Sequence, residues 1–119
     1  MAIRSFDVAP LDRSSLRDYA EHLLAGERVE AGFRGETTTV LFTDRRIVTV
    51  QIQVVLNERI ETTSISYRAV RQFALNRAAD GGGRSEFRLM IEGDAPLHLR
   101  ADPGTDFSLL QTLLAERLA

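Results

Sequence analysis

Between Ile47 and Val54 every second residue is branched and apolar: Val48, Val50, Ile52 and Val54 alternate with Thr49, Gln51 and Gln53. Successive side chains of a strand point to opposite faces, so the pattern describes a strand with one dry and one wet face, as antiparallel sheets use. Comparable runs stand on both sides of it. From Val29 the period becomes two, Thr37 to Thr43 is β-branched and aromatic-rich, and Thr43-Asp44-Arg45-Arg46 reads as a tight turn. Asn57-Glu58 offers the next turn, followed by Arg59 to Ile65. Phe73 and Leu75 then alternate with polar neighbours in Arg71 to Arg77, as do Phe87, Leu89 and Ile91 in Glu86 to Glu92. Gly93-Asp94-Ala95-Pro96 turns the chain into Leu97 to Arg100, and Asp102-Pro103-Gly104 stops the sheet. Seven candidate strands without strand–helix alternation exclude a parallel α/β fold. The alternation predicts Val48, Val50, Ile52 and Val54 inside, joined by Phe42, Phe87, Leu89, Ile91 and Leu114. It puts Leu41, Ile47 and Met90 on the opposite faces.

Two segments carry a helical period instead. Leu16, Tyr19, Ala20, Leu23 and Leu24 fall at i, i+3, i+4, i+7 and i+8, one stripe of a helix between Asp12 and Gly26. Ser14 or Ser15 can cap its start, and Gly26 suits a left-handed end. Tyr19 and His22 sit on or beside the stripe, where side chains pack. After Thr105 or Asp106 as cap, Phe107, Leu110, Leu114 and Leu118 form a second stripe, widened by Leu109 and Leu113. A closing helix of that kind must cover an apolar surface.

A length of 119 residues fits one domain. The absence of Cys excludes a disulfide framework, thiolate metal clusters and cysteine nucleophiles. All 15 basic residues are Arg, spread along the chain, and the net charge of -2 carries no nucleic-acid footprint. The N-terminal stretch has no apolar core of the length an export signal needs, since Asp7, Asp12 and Arg13 interrupt it. Ile47 to Leu56 is about half the ~20 residues that span a bilayer. A cytoplasmic location is the expectation.

Catalytic chemistry is hard to assemble. His22 and His98 are the only imidazoles, and neither has the i, i+4 partner of a helical metal site. No Gly-x-Ser-x-Gly elbow occurs. Glu27 with Glu30, and Glu58 with Glu61, read as solvated turn and strand charges. The glycines in Ala78-Ala79-Asp80-Gly81-Gly82-Gly83-Arg84 lack the Lys and the following helix of a phosphate loop, so the segment reads as a hairpin loop. No catalytic residue, metal ligand or cofactor is expected.

Four segments, in order, carry a resemblance: Leu23-Leu24-Ala25-Gly26-Glu27-Arg28-Val29, Val40 to Val48, Thr63 to Val70, and Ser85 to Ile91. Over about residues 22 to 118 the chain resembles the bacterial pleckstrin-homology-like (PH-like) domains. It departs from them at Ile65-Ser66-Tyr67, where similar members often have isoleucine-proline-tyrosine, and at Arg77-Ala78-Ala79-Asp80. The resemblance implies a non-enzymatic, α+β and mainly β fold: a seven-stranded antiparallel PH-like barrel capped by the C-terminal helix. Residues 1–28 would form an N-terminal helical extension and residues 29–119 the barrel, within one structural domain. Homo-oligomeric rings are implied as well. Related modules grip phosphoinositide headgroups with several basic side chains near the first strand loop; here the candidates are Arg34, Arg45 and Arg46, with a solvated hairpin tip as the alternative for the Arg doublet. The preferred expectation is a self-assembling module that binds a protein or peptide through a sheet edge or beside the C-terminal helix. An adaptor for anionic lipid on a membrane surface is the second. The N-terminal stripe supplies the argument for assembly, because its apolar face needs another surface, either on its own barrel or on a neighbouring copy.

Overall fold

Each of the seven alternating runs forms a strand in the computed structural model, which describes residues 4–54, 58–77, 79–80 and 82–118. Asn57 of one expected turn, Ala78 and Gly81 of the glycine loop, and the side chain of Val54 lie outside the described residues. The order is β1 (Arg4–Pro10), a helical turn α1 (Arg13–Leu16) continued as a 3-10 segment (Arg17–His22), then β2 (Val29–Gly35), β3 (Thr38–Thr43), β4 (Arg46–Val54) and β5 (Glu58–Ser66). A 3-10 turn (Tyr67–Ala69) leads to β6 (Val70–Asn76), β7 (Ser85–Ile91), β8 (Leu97–Ala101) and the helix α2 (Ser108–Leu118). The fold is mainly β, with two sheets and a C-terminal helix, and it divides into two compact units. One spans Pro10–Ser66; the other joins the described residues before and after it.

In the unit Pro10–Ser66 the strands run antiparallel in the order β5-β4-β3-β2. Register decides which residues share a face. Leu41 lies opposite Val48 and Thr39 opposite Val50, whereas Phe42 lies opposite Ile47 and Val40 opposite Thr49. Leu41, Val48 and Val50 thus form one face, and Val40, Phe42, Ile47 and Thr49 the other. All of them are buried. This corrects three expectations: Phe42 is on the face away from Val48, Leu41 and Ile47 are interior, and Thr49 is not on a wet face. Ile52, expected inside, is 40% exposed. Alternation reports two faces of different polarity, but a sheet covered on both sides buries both of them.

The cover on the Leu41–Val48–Val50 face is the N-terminal segment, through Leu11, Leu16, Tyr19 and Leu23. The expected apolar stripe is covered within its own unit, so it does not call for a neighbouring copy. Asp12, not Ser14 or Ser15, caps α1, its Oδ1 accepting from the Ser15 N–H at 2.8 Å. A 3-10 helix has three residues per turn. Leu16, Tyr19 and His22 therefore line up, while Ala20 and Leu24 turn outward, Leu24 with 54% exposure. Polar pins hold this tighter winding: Tyr19 Oη lies 2.9 Å from Thr39 Oγ1, and His22 Nδ1 lies 3.1 Å from Thr62 Oγ1. Gly32 admits the segment close to the sheet, since a Cβ there would meet Leu16, Leu11 and Leu41 at 3.0, 3.1 and 3.2 Å. Gly26 takes a positive φ of 77°, but in a turn beyond the helical segment, which ends at His22 with extended Leu23 rather than at the glycine.

In the other unit β8, β7 and β6 are antiparallel neighbours, and β1 joins β8 in parallel. The described strands thus number eight, with one parallel pairing. β1 escapes a pattern search because its dry face offers little beyond Phe6 and Val8. Its wet face is set by distant partners: Asp7 Oδ1 lies 3.2 Å from both Arg84 Nη2 and Arg100 Nε. Phe87 stacks on Phe73 and meets Phe107 at a tilt, with ring centroids 5.8 and 5.6 Å away. Leu110, Leu113 and Leu114 are the buried face of α2, joined by Phe107 just before it, while Leu109 is 65% exposed. Asp106 begins this helix by accepting from the Ser108 N–H at 2.8 Å.

Candidate functional site

Of the three arginines picked from the sequence, Arg46 is committed within the protein. Its Nε and Nη2 donate to Glu27 Oε2 and Oε1, each at 2.9 Å, a two-pronged guanidinium–carboxylate pair. Nη2 also donates to the His22 carbonyl at 3.2 Å, and Nη1 reaches the Ser64 hydroxyl. The Glu27 side chain is fully shielded from solvent. It is further satisfied by the Leu24 N–H at 2.9 Å and the Thr43 hydroxyl at 2.7 Å. The Arg46 guanidinium is the largest influence on this carboxyl, holding its pKa down at about 2 against the opposing effect of burial, with the Leu24 and Thr43 donors adding to it. Glu27 is thus a buried anchor rather than the solvated charge its turn position suggested. It joins the end of the N-terminal segment to the β3–β4 turn.

The other two arginines do not meet there. Arg34 sits opposite Thr39 on β2, whereas Arg45 belongs to the turn beyond Thr43 at the other end of the same hairpin. Four residues at ~3.4 Å each separate those ends by about 14 Å. Both side chains are exposed. His22 and His98 belong to different units and each hydrogen-bonds a hydroxyl, Thr62 Oγ1 and Ser5 Oγ. Among the described residues no group of His, Asp and Glu is arranged to hold a metal. A cleft of about 520 Å³ lined by Arg77, Ser85, Thr105 and Asp106 pairs one cation with a carboxylate already used to cap α2.

β5 and β6 are the two ends of the strand order among the described residues, and the β5 edge is the more exposed of them. β5 stands at the end of the strand order and pairs with β4 through nine consecutive residues without a bulge. The Ile52 N–H donates to the Thr37 carbonyl at 2.8 Å, so the Ile52 backbone faces β3. Its partner across the β4–β5 ladder, Ile60, is therefore in a non-hydrogen-bonded pair and turns its N–H and C=O away from β4. By alternation the backbones of Glu58 and Thr62 face the same way. Residues Glu58 to Thr62 are exposed throughout, Ile60 at 55%. The sequence signal was present but weak: one isoleucine in Arg59-Ile60-Glu61, in a run whose β-branched residues are otherwise polar. An edge cannot be told from a central strand by its own residues.

Two antiparallel-built sheets and a closing C-terminal helix define the PH-like class of fold. The model of the family described as bacterial PH domain matches residues 7–118, and the chain belongs to that family. It is 30% identical over 88 residues to the uncharacterized protein YjqA of Bacillus subtilis (strain 168), covering 73% of this chain and 70% of that one. Among solved structures it is similar to a DUF1696 family protein with a pleckstrin-homology domain from Shewanella loihica PV-4, with a TM-score of 0.75 at 22% identity, over 96% of this chain and 99% of the other. A pleckstrin homology domain from Shewanella amazonensis SB2B gives a TM-score of 0.66 at 23% identity, over 92% and 90%. At those identities the likeness concerns the fold alone. Among the described residues no helix is long and apolar enough to cross a membrane.

Proposed function

We propose that this PH-like domain is a non-enzymatic association module of the cytoplasm, which self-assembles and takes a protein or peptide partner in extended conformation along β5. The observation that carries this reading is the outward-facing, exposed backbone of Glu58, Ile60 and Thr62 at the end of an unbroken ladder. Strand addition supplies affinity through main-chain hydrogen bonds and specificity through alternate side chains. No cofactor enters. The second reading, anionic lipid held by Arg34, Arg45 and Arg46, is less well supported, because Arg46 is paired with Glu27 and Arg34 is at the far end of its hairpin.

Ile60→Pro removes one outward donor while leaving the β4 ladder its bonds, a substitution edge strands tolerate. Sedimentation equilibrium of the full chain is expected to show association that Ile60→Pro abolishes. A strictly monomeric protein that binds phosphatidylserine vesicles, and loses that binding in Arg34→Ala with Arg45→Ala, would replace this reading with the lipid one.

A further inference from the structure

We infer that the cleft between the β6–β7 and β8–α2 loops binds a small zwitterion, a molecule with a carboxylate and an ammonium group close together, of which a free α-amino acid is the simplest kind. The cleft belongs wholly to the unit that contains β6, β7, β8 and α2, and its occupancy is independent of the β5 edge.

The cleft holds about 520 Å³, within the ordinary range of small-molecule sites. Ser85 opens β7 on the face that Phe87 and Leu89 share, so its side chain turns inward and lines the cleft. The residue is only 3% exposed, yet no hydrogen bond among the described residues engages its hydroxyl. Burying a hydroxyl without a partner is unfavourable, and a polar group entering the cleft supplies one. Arg77, just past the end of β6, brings a guanidinium to the same space. Among the described residues it makes no hydrogen bond and no ion pair, so the planar fork that suits a carboxylate is unspent.

Asp106 brings the opposite charge. Its carboxyl is held below the usual carboxylate range chiefly by Ser108, through side chain and main-chain N–H, and further by Arg77. The two charges therefore sense each other without closing into a pair. The Ser108 N–H at 2.8 Å and the Ser108 side chain use part of the about four acceptor positions of a carboxylate, which leaves Asp106 able to accept from a ligand. Thr105 adds a second hydroxyl, and no side chain larger than a methyl contributes an apolar wall. A plain anion drawn to Arg77 meets the Asp106 carboxylate, and a plain cation drawn to Asp106 meets Arg77. A ligand that carries both signs satisfies both: its carboxylate accepts from Arg77 and Ser85, and its ammonium donates to Asp106.

The test follows the amide resonances of Gly83, Ser85 and Thr105 in the full, nitrogen-labelled chain at pH 7 and constant ionic strength, titrated separately with glycine, acetate, methylammonium and inorganic phosphate. Glycine is expected to give saturable shifts there and to bind at least about tenfold more tightly than each ion of a single sign. Arg77→Gln and Ser85→Ala are each expected to weaken glycine about tenfold. Asp106→Asn keeps a residue that caps helices well while removing the charge, and is expected to bind acetate at least as tightly as glycine. Resonances away from the cleft show that each variant is folded. The inference is overturned if glycine produces no saturable shift, if acetate or phosphate matches glycine in the wild type, if Arg77→Gln binds glycine unchanged, or if Asp106→Asn keeps the preference for glycine.

Discussion

The residue that most alters the meaning of its surroundings is Glu27. Shielded from solvent and bound by Arg46, Thr43 and the Leu24 amide, it converts an arginine that reads as surface charge into a structural clasp. Removing one partner of a buried ion pair leaves the other uncompensated, so Glu27→Ala is expected to lower unfolding free energy by about 3–5 kcal/mol, measured by urea denaturation at neutral pH. Its pKa lies below the ordinary value of 4.5, at about 2. A depressed folded-state pKa gives stability that is fully present above the unfolded value and lost as pH falls through the folded one. The wild type is therefore expected to lose stability between about pH 5 and pH 2 more than Glu27→Gln does. Equal acid sensitivity of the two proteins would contradict this account. The clasp escaped the sequence because Gly26-Glu27-Arg28 has the local character of a turn, and its arginine partner lies 19 positions later.

At the scale of elements, the two helical segments fared differently. α2 presents the stripe its spacing foretold, with one correction: Leu109 belongs to solvent. Leu110→Ala is expected to cost about 2–5 kcal/mol and Leu109→Ala within about 0.5 kcal/mol, as shifts in urea midpoint. The N-terminal segment winds as a 3-10 helix after Leu16, because hydrogen bonds to Thr39 and Thr62 reward a three-residue period that its sequence does not advertise. Gly32 sits beneath it. Gly32→Val is expected to crowd Leu11, Leu16 and Leu41 and cost about 1–3 kcal/mol, with Tyr19 becoming more accessible to a fluorescence quencher. An unchanged stability would mean that the segment rests on its polar pins alone.

For the whole molecule, the proposed association through β5 would make the mass depend on concentration and on salt. The β5 edge carries the exposed charges Glu58 and Arg59, and the interactions of exposed charges are screened as the Debye length shortens. Raising ionic strength from about 0.05 M to about 0.5 M is therefore expected to weaken association measurably by light scattering. An assembly strengthened by salt would point to an apolar interface elsewhere. The N-terminal stripe supplies no separate argument for association, because Leu16, Tyr19 and Leu23 pack on Leu41, Val48 and Val50 of their own unit.

The chain's own pattern determined the class of fold, the seven alternating strands, the left-handed glycine at position 26 and the apolar face of the last helix. These are local matters, settled by a period of two or of 3.6 and by which residues tolerate positive φ. Only the tertiary structure decided the rest. Register across β3 and β4 chose Leu41 over Phe42 as the partner of Val48, and cover on both sides buried a strand that alternates. β1 exists because β8, some ninety residues away, offers it a parallel ladder. The fates of Arg46 and Ile60 turn on what lies opposite them, a carboxylate in one case and an empty edge in the other. Neither neighbour is near in sequence, so no reading of period or propensity could supply it.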